Sequence, residues 1–181
     1  MASNQPTSGS WTTLNATGEH RVADVAGFLD EDRLRAVIGS APLVSIDFLI
    51  RNESNEFLLG KRLNKPAQGL WFVPGGRIRK MERLEGAINR ISEAELGINI
   101  KLEDSEFVGI FEHMYGDSVF SDCIETHYVS IGFLCDLPSP VTSFPMLQHS
   151  RFQWFGVEEI ESSAEVHPHT KEFFNESFGI R

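Results

Sequence analysis

The stretch WFVPGGRIRKMERLEGAINRISEAELGI, residues 71–98, constrains the fold of this chain more than any other. A short apolar run ends in Pro74, Gly75 and Gly76, a tight loop in which the backbone can approach another group closely. Such a loop can offer a carbonyl to a metal immediately ahead of an acidic helix. Leu84, Ala87, Ile88, Ile91, Ala94 and Glu95 recur at spacings of three and four, which predicts a helix over residues 83–96 closed by Gly97.

The flanking segments fit one domain around this unit. FLDEDRLRAVIGS predicts a short helix capped by Asp30 and stopped by Gly39. LVSIDFLI and FLLGKR predict a strand hairpin about the polar turn RNESNE. FVGIFEHMY, THYVSIGFLC and RFQWF predict three further strands, the last after a Pro-punctuated loop over residues 138–149. The tail predicts a helix with Pro168 in its first turn. The order α-β-β-β-α-β-β-β-α indicates an α+β fold, a mixed sheet sandwiched between helices, over residues 27–181. Residues 1–26, rich in Ser, Thr, Asn, Gly and Ala, read as a flexible N-terminal extension.

With 181 residues, 41% of them apolar and 23% charged, the chain has the usage of one globular domain. Sixteen basic and 26 acidic residues leave a charge of −10, with no Lys or Arg run to track a nucleic-acid backbone. That excess would repel a phosphorylated small molecule, so an anionic ligand requires a divalent cation or gathered arginines. Cys123 and Cys135 have no CxxC spacing and read as reduced thiols. No apolar stretch approaches the ~20 residues that span a bilayer, and no signal-peptide pattern opens the chain, so a cytoplasmic protein without membrane partners is expected.

The glycine pair, Glu82, Arg90, Glu95 and Gly97 together resemble the Nudix hydrolase box, in which a strand, a glycine loop and a helix hold magnesium against a diphosphate. The resemblance implies the Nudix fold. Two departures stand out: Ile91 and Ala94 occupy positions where Nudix enzymes carry glutamates, and spacings of i, i+3 and i+4 put these on one face with Glu95. Glu93 is about 200° around the helix from Glu95 and cannot substitute for them. A multi-metal cluster is therefore not expected.

These gaps are shared by the GDP-mannose mannosyl hydrolase family, which the chain resembles over residues 27–175 through PLVSIDF, EFLLGKR, NKPAQG, WFVPGGR, AELG, THYV and LQH. The resemblance implies one Mg2+ per active site, with Mn2+ as a substitute, held by the Gly75 carbonyl, Glu95 and Gln148. It implies His149 as the base that delivers water to the anomeric carbon of GDP-mannose or GDP-glucose, with inversion and release of GDP. Arg77 is implied as the catalytic arginine stabilising the diphosphate. Substrate contacts are implied at Asp47, Arg62, Arg77, His113 and Tyr128, and at Phe28 and Leu29 beside the guanine of a homodimer. Arg90 is alternatively an ion-pair partner of Glu82.

Other readings stand beside this one. A Nudix pyrophosphohydrolase would attack phosphorus instead, and a non-catalytic nucleotide-sugar sensor would only bind. Taken alone, His149 in a Pro- and Ser-containing loop reads as a surface histidine, and Trp71 and Phe72 read as core. His167 and His169 flank Pro168 without further ligands in the sequence, so no second metal site is expected there.

Overall fold

In the computed structural model, which describes residues 29–137, 144–146 and 148–175, the first element is α1, Glu31–Ile38. Asp30 caps it, its carboxylate accepting from the Arg33 N–H at 2.9 Å. The expected extension over residues 1–26 and the guanine contact at Phe28 lie outside the described residues.

The sheet is mixed and seven-stranded. Strand β1, Leu43–Arg51, runs parallel to β6, Thr126–Asp136, along its whole length, and β6 pairs antiparallel with β5, Glu106–Tyr115. On its other edge β1 meets β2, Phe57–Arg62, at the Arg51↔Phe57 pair, where Asn52 accepts the Ser54 and Glu56 N–H groups and closes the turn. Beyond that pair the hairpin forks. Strand β2 pairs with β3, Trp71–Phe72, and with β7, His149–Phe155, while the edge of β1 is taken by β4, Gly75–Arg77, in the register Asp47↔Gly75 and Ser45↔Arg77.

The expectation of one strand leading into a free glycine loop is thereby corrected: WFVPGGR makes two short strands on different partners. Pro74 separates them because it has no N–H for a ladder, while its carbonyl accepts from the Phe48 N–H at 2.8 Å. A second correction concerns residues 138–149, since His149 opens β7 rather than closing a surface loop.

Helix α2, Leu84–Leu96, ends at Gly97, which takes the left-handed conformation (φ 69°) that favours glycine. Its buried stripe of Ala87, Ile88, Ile91 and Leu96 packs on Ile46, Phe48, Ile50, Leu58 and Phe133. Leu49, Phe57, Leu59, Trp71, Phe72 and Phe111 face the other way, onto α3, Val157–Ser162, and α4, Pro168–Glu172, through Ile160, Phe173 and Phe174. Trp71 and Phe72 are core residues, as expected. The alternation along β1 sends Ile46, Phe48 and Ile50 to α2 and leaves Asp47 on the α4 side with Leu49. No helix among the described residues is long and apolar enough to cross a membrane.

Candidate active site

The loop between β4 and α2 is braced from inside. Arg90 donates through Nε and Nη2 to both oxygens of Glu82, at 2.7 and 2.8 Å, and its Nη2 also donates to the Arg77 carbonyl at 2.9 Å. Glu82 in turn accepts the Arg79 N–H at 2.8 Å. This is the ion pair the spacing allowed, and it ties residues 77–82 to the helix.

The Arg90 guanidinium holds the Glu82 carboxyl below its usual range. Stability contributed by a depressed carboxyl is present above its unfolded pKa and lost as pH falls through the folded value. Glu82→Gln is therefore expected to cost about 1–3 kcal/mol at neutral pH, and the gap to the wild type should close in acid. Urea unfolding curves at the two pH values measure both.

Glu95, on the buried stripe of α2, is the carboxylate that meets the strands. Gln148 donates its Nε2 to Glu95 Oε1, and His149 Nδ1 lies 3.5 Å from Glu95 Oε2. The three expected partners converge although 53 residues separate Glu95 from Gln148. Burial pushes the Glu95 carboxyl up to about 7, against the opposing pull of Arg62 and the Gln148 hydrogen bond. His149 is only 1% exposed, and both of its ring nitrogens lack a partner. Burial, with Arg62 second, pushes its pKa down to about 4, so the ring is neutral at neutral pH and free to accept a proton.

Gly60 gives this imidazole its room. A Cβ there would lie 2.4 Å from His149 Cδ2 and 2.6 Å from Cγ. Arg62, paired across the strands with His149, donates Nε to the Pro66 carbonyl at 2.8 Å and lies 5.9 Å over the Phe72 ring. Its positive charge acts on Asp47, Glu95 and His149 alike.

A second group lies on the other arm of the fork. Asp47 is buried, accepts from Ser130 Oγ and stands 3.7 Å from His113 Nδ1. Burial raises its carboxyl to about 6, against the Ser130 hydrogen bond and Arg62. Gly75 must be glycine: a Cβ would sit 2.2 Å from Asp47 Oδ1 and 2.5 Å from the Ile46 carbonyl oxygen. Burial pushes His113 down to about 3, with His169 and His167 adding to the effect. Tyr128 pairs across from His113, and burial raises its hydroxyl while Arg77 and Arg62 oppose this.

Leu29 is exposed ahead of α1 and belongs to neither buried cluster. Ile91 is buried as part of the helix stripe, whereas Ala94 is exposed, so the latter stands at the margin of the face rather than within it. Sequence reasoning missed Gly60 and Ser130. Ser130 had a signal, since it lies two residues from Tyr128 on the same strand face. It also set aside His167 and His169; His169 stacks on His113 and meets Tyr115 edge-on, and His167 lies tilted against Tyr115.

A magnesium ion fits the first group. The Glu95 carboxylate and the Gln148 amide oxygen are hard donors, and a cation would relieve the cost of ionising the buried Glu95. His113, His169 and Glu172 also offer ligand atoms within 4.8 Å of one another. Their two rings, however, are stacked 13° from parallel, and in-plane lone pairs of near-parallel rings do not converge on one ion.

Comparisons agree with this architecture. A 37% identical relative over 127 residues, 70% of this chain and 79% of its own length, is the low-salt glycan biosynthesis protein Agl8 of Haloferax volcanii. An ADP-ribose pyrophosphatase of Methanocaldococcus jannaschii is 30% identical over 96 residues, and the match spans 53% of this chain and about half of that protein (52%). The crystal structure of a MutT protein from Methanosarcina mazei Go1 superposes with a TM-score of 0.61 at 26% identity, covering 77% of this chain and 95% of that one. The NUDIX domain family model matches residues 41–176, the span holding the fork, the braced glycine loop and the Glu95 helix; the chain belongs to the Nudix family.

Proposed function

We propose that this Nudix hydrolase cleaves a GDP-hexose, GDP-mannose or GDP-glucose, to GDP and the free sugar by attack of water at the anomeric carbon. The observation that carries this reading is His149, a buried imidazole whose two ring nitrogens make no hydrogen bond, beside Glu95, the one buried carboxylate of α2. A helix whose buried stripe carries Ile91 in place of a carboxylate has lost the usual activators of water at phosphorus, and an imidazole within the site is the remaining base.

Mg2+, held by Glu95, Gln148 and the Gly75 carbonyl, supplies positive charge to the diphosphate when bound. The chain does the rest. Arg77 on β4 offers a planar fork to the leaving diphosphate, Arg62 adds a second cation, and His149 takes the proton of the attacking water. Asp47, His113 and Tyr128 supply polar contacts on the sugar side. The glycan biosynthesis name of the Haloferax relative supports a nucleotide-sugar substrate. Pairing of two copies around the guanine, as in the resembling family, is part of the same reading.

The alternative is a pyrophosphohydrolase, favoured by the relative named ADP-ribose pyrophosphatase. Turnover of GDP-mannose in 18O-labelled water separates the two. Label in the free hexose is the expected result. Label in GMP or in the sugar phosphate means attack at phosphorus and overturns the proposal.

A further inference from the structure

On the α4 side of the sheet, behind Asp47 and His113, both ring nitrogens of His169 are engaged. Its Nε2 lies 3.1 Å from the Met114 carbonyl oxygen and its Nδ1 lies 2.8 Å from Glu172 Oε1. A carbonyl can only accept, so Nε2 carries a hydrogen. Glu172 is 45% exposed, a carboxylate oxygen accepts, and a bare Nδ1 would set a lone pair against it. Both contacts are favourable at once only where the ring donates at both nitrogens.

From this geometry we infer that His169 is a positioning residue, an imidazolium clamped by Glu172 and the Met114 carbonyl whose charge adds to burial in opposing protonation of the neighbouring His113, which stays oriented on Asp47. The His113 and His169 rings stack at 4.6 Å between centroids, and two imidazolium rings at that distance repel. Asp47 Oδ2 lies 3.7 Å from His113 Nδ1, so the single hydrogen of a neutral His113 belongs on Nδ1. Its Nε2 is then the bare nitrogen, in agreement with the absence of any donor or acceptor partner there. The other groups around the pair are Tyr115 on β5, His167 at the cap of α4 and Arg62 on β2, whose charge also reaches Asp47.

The consequence for catalysis rests on the GDP-hexose reading, in which Asp47 and His113 touch the sugar. A protonated His113 would draw the Asp47 carboxylate into an ion pair and away from a hydroxyl. His169 reinforces burial against that from outside the substrate's reach, as a fixed charge.

Imidazole 15N spectra of the whole chain at neutral pH test the charge without requiring turnover. His169 is expected to show two protonated nitrogens and His113 a protonated Nδ1 with a bare Nε2. In His169→Gln, which keeps a donor but loses the charge, His113 should take up its proton at a higher pH than in the wild type. His169→Lys should leave His113 as it was. Because burial already holds His113 low, the kinetic counterpart lies in acid: kcat of His169→Gln should fall off at a higher pH than that of the wild type, with KM nearly unchanged, and His169→Lys should restore the wild-type profile. A single bare nitrogen on wild-type His169, or a His113 indifferent to His169→Gln, overturns the inference. Because the spectra need no substrate, they decide His169 even if the labelled-water experiment rejects the sugar reaction.

Discussion

His149→Ala should lower turnover of GDP-mannose by about 10²–10⁴-fold while the protein stays folded, the range by which a positioned general base accelerates a reaction. Thermal unfolding should show a folded protein of somewhat lower stability, because the buried ring leaves a cavity beside Phe152 while its nitrogens give up no hydrogen bond. Steady-state kinetics should show the loss in kcat, since the imidazole acts on the attacking water rather than on the nucleotide. Retention of wild-type turnover would remove His149 from the reaction. A loss confined to KM would make it a binding residue.

Gly60→Ala should reach a comparable loss by a different route. The added methyl lands within 3 Å of three His149 ring atoms, Cδ2, Cγ and Nε2, so the ring must swing out of place or β2 must shift away from β7. Overpacking of this sort costs about 1–3 kcal/mol of stability, which a domain of this size survives. Activity should suffer far more than stability. Gly156→Ala is the control, because a Cβ at Gly156, ahead of α3, meets nothing within 4 Å. If Gly60→Ala turns over like the wild type, the placement of the ring on the floor of β2 has no bearing on the chemistry.

How much of this was legible in the sequence depended on whether a feature is local. The α2 helix announces itself through its apolar spacing and Gly97, and the Glu82–Arg90 pair through an eight-residue separation that a loop and two helical turns can close. The fork was hidden, because nothing in WFVPGGR says that its two halves pair with different strands; that depends on where β1 and β2 part. His149 looked superficial because its neighbours are Ser, Pro and Gln, and only the β2–β7 pairing buries it. His169 and His113 are 56 positions apart in the chain and meet because α4 closes over the face of β1 that carries Asp47. The carboxylate, amide and imidazole of the first group were legible by family resemblance, and the strand register explains how the backbone brings them together.

The parting of β1 and β2 has a mechanical meaning. Asp47, Gly75 and Arg77 ride on one limb, Arg62 and His149 on the other, and α2 contributes Glu95 from the side. A molecule gripped from both limbs closes the split with its own length, as a wedge-shaped keystone locks two halves of an arch. Its occupancy should stiffen the entire domain and resist unfolding in proportion to how tightly it is held.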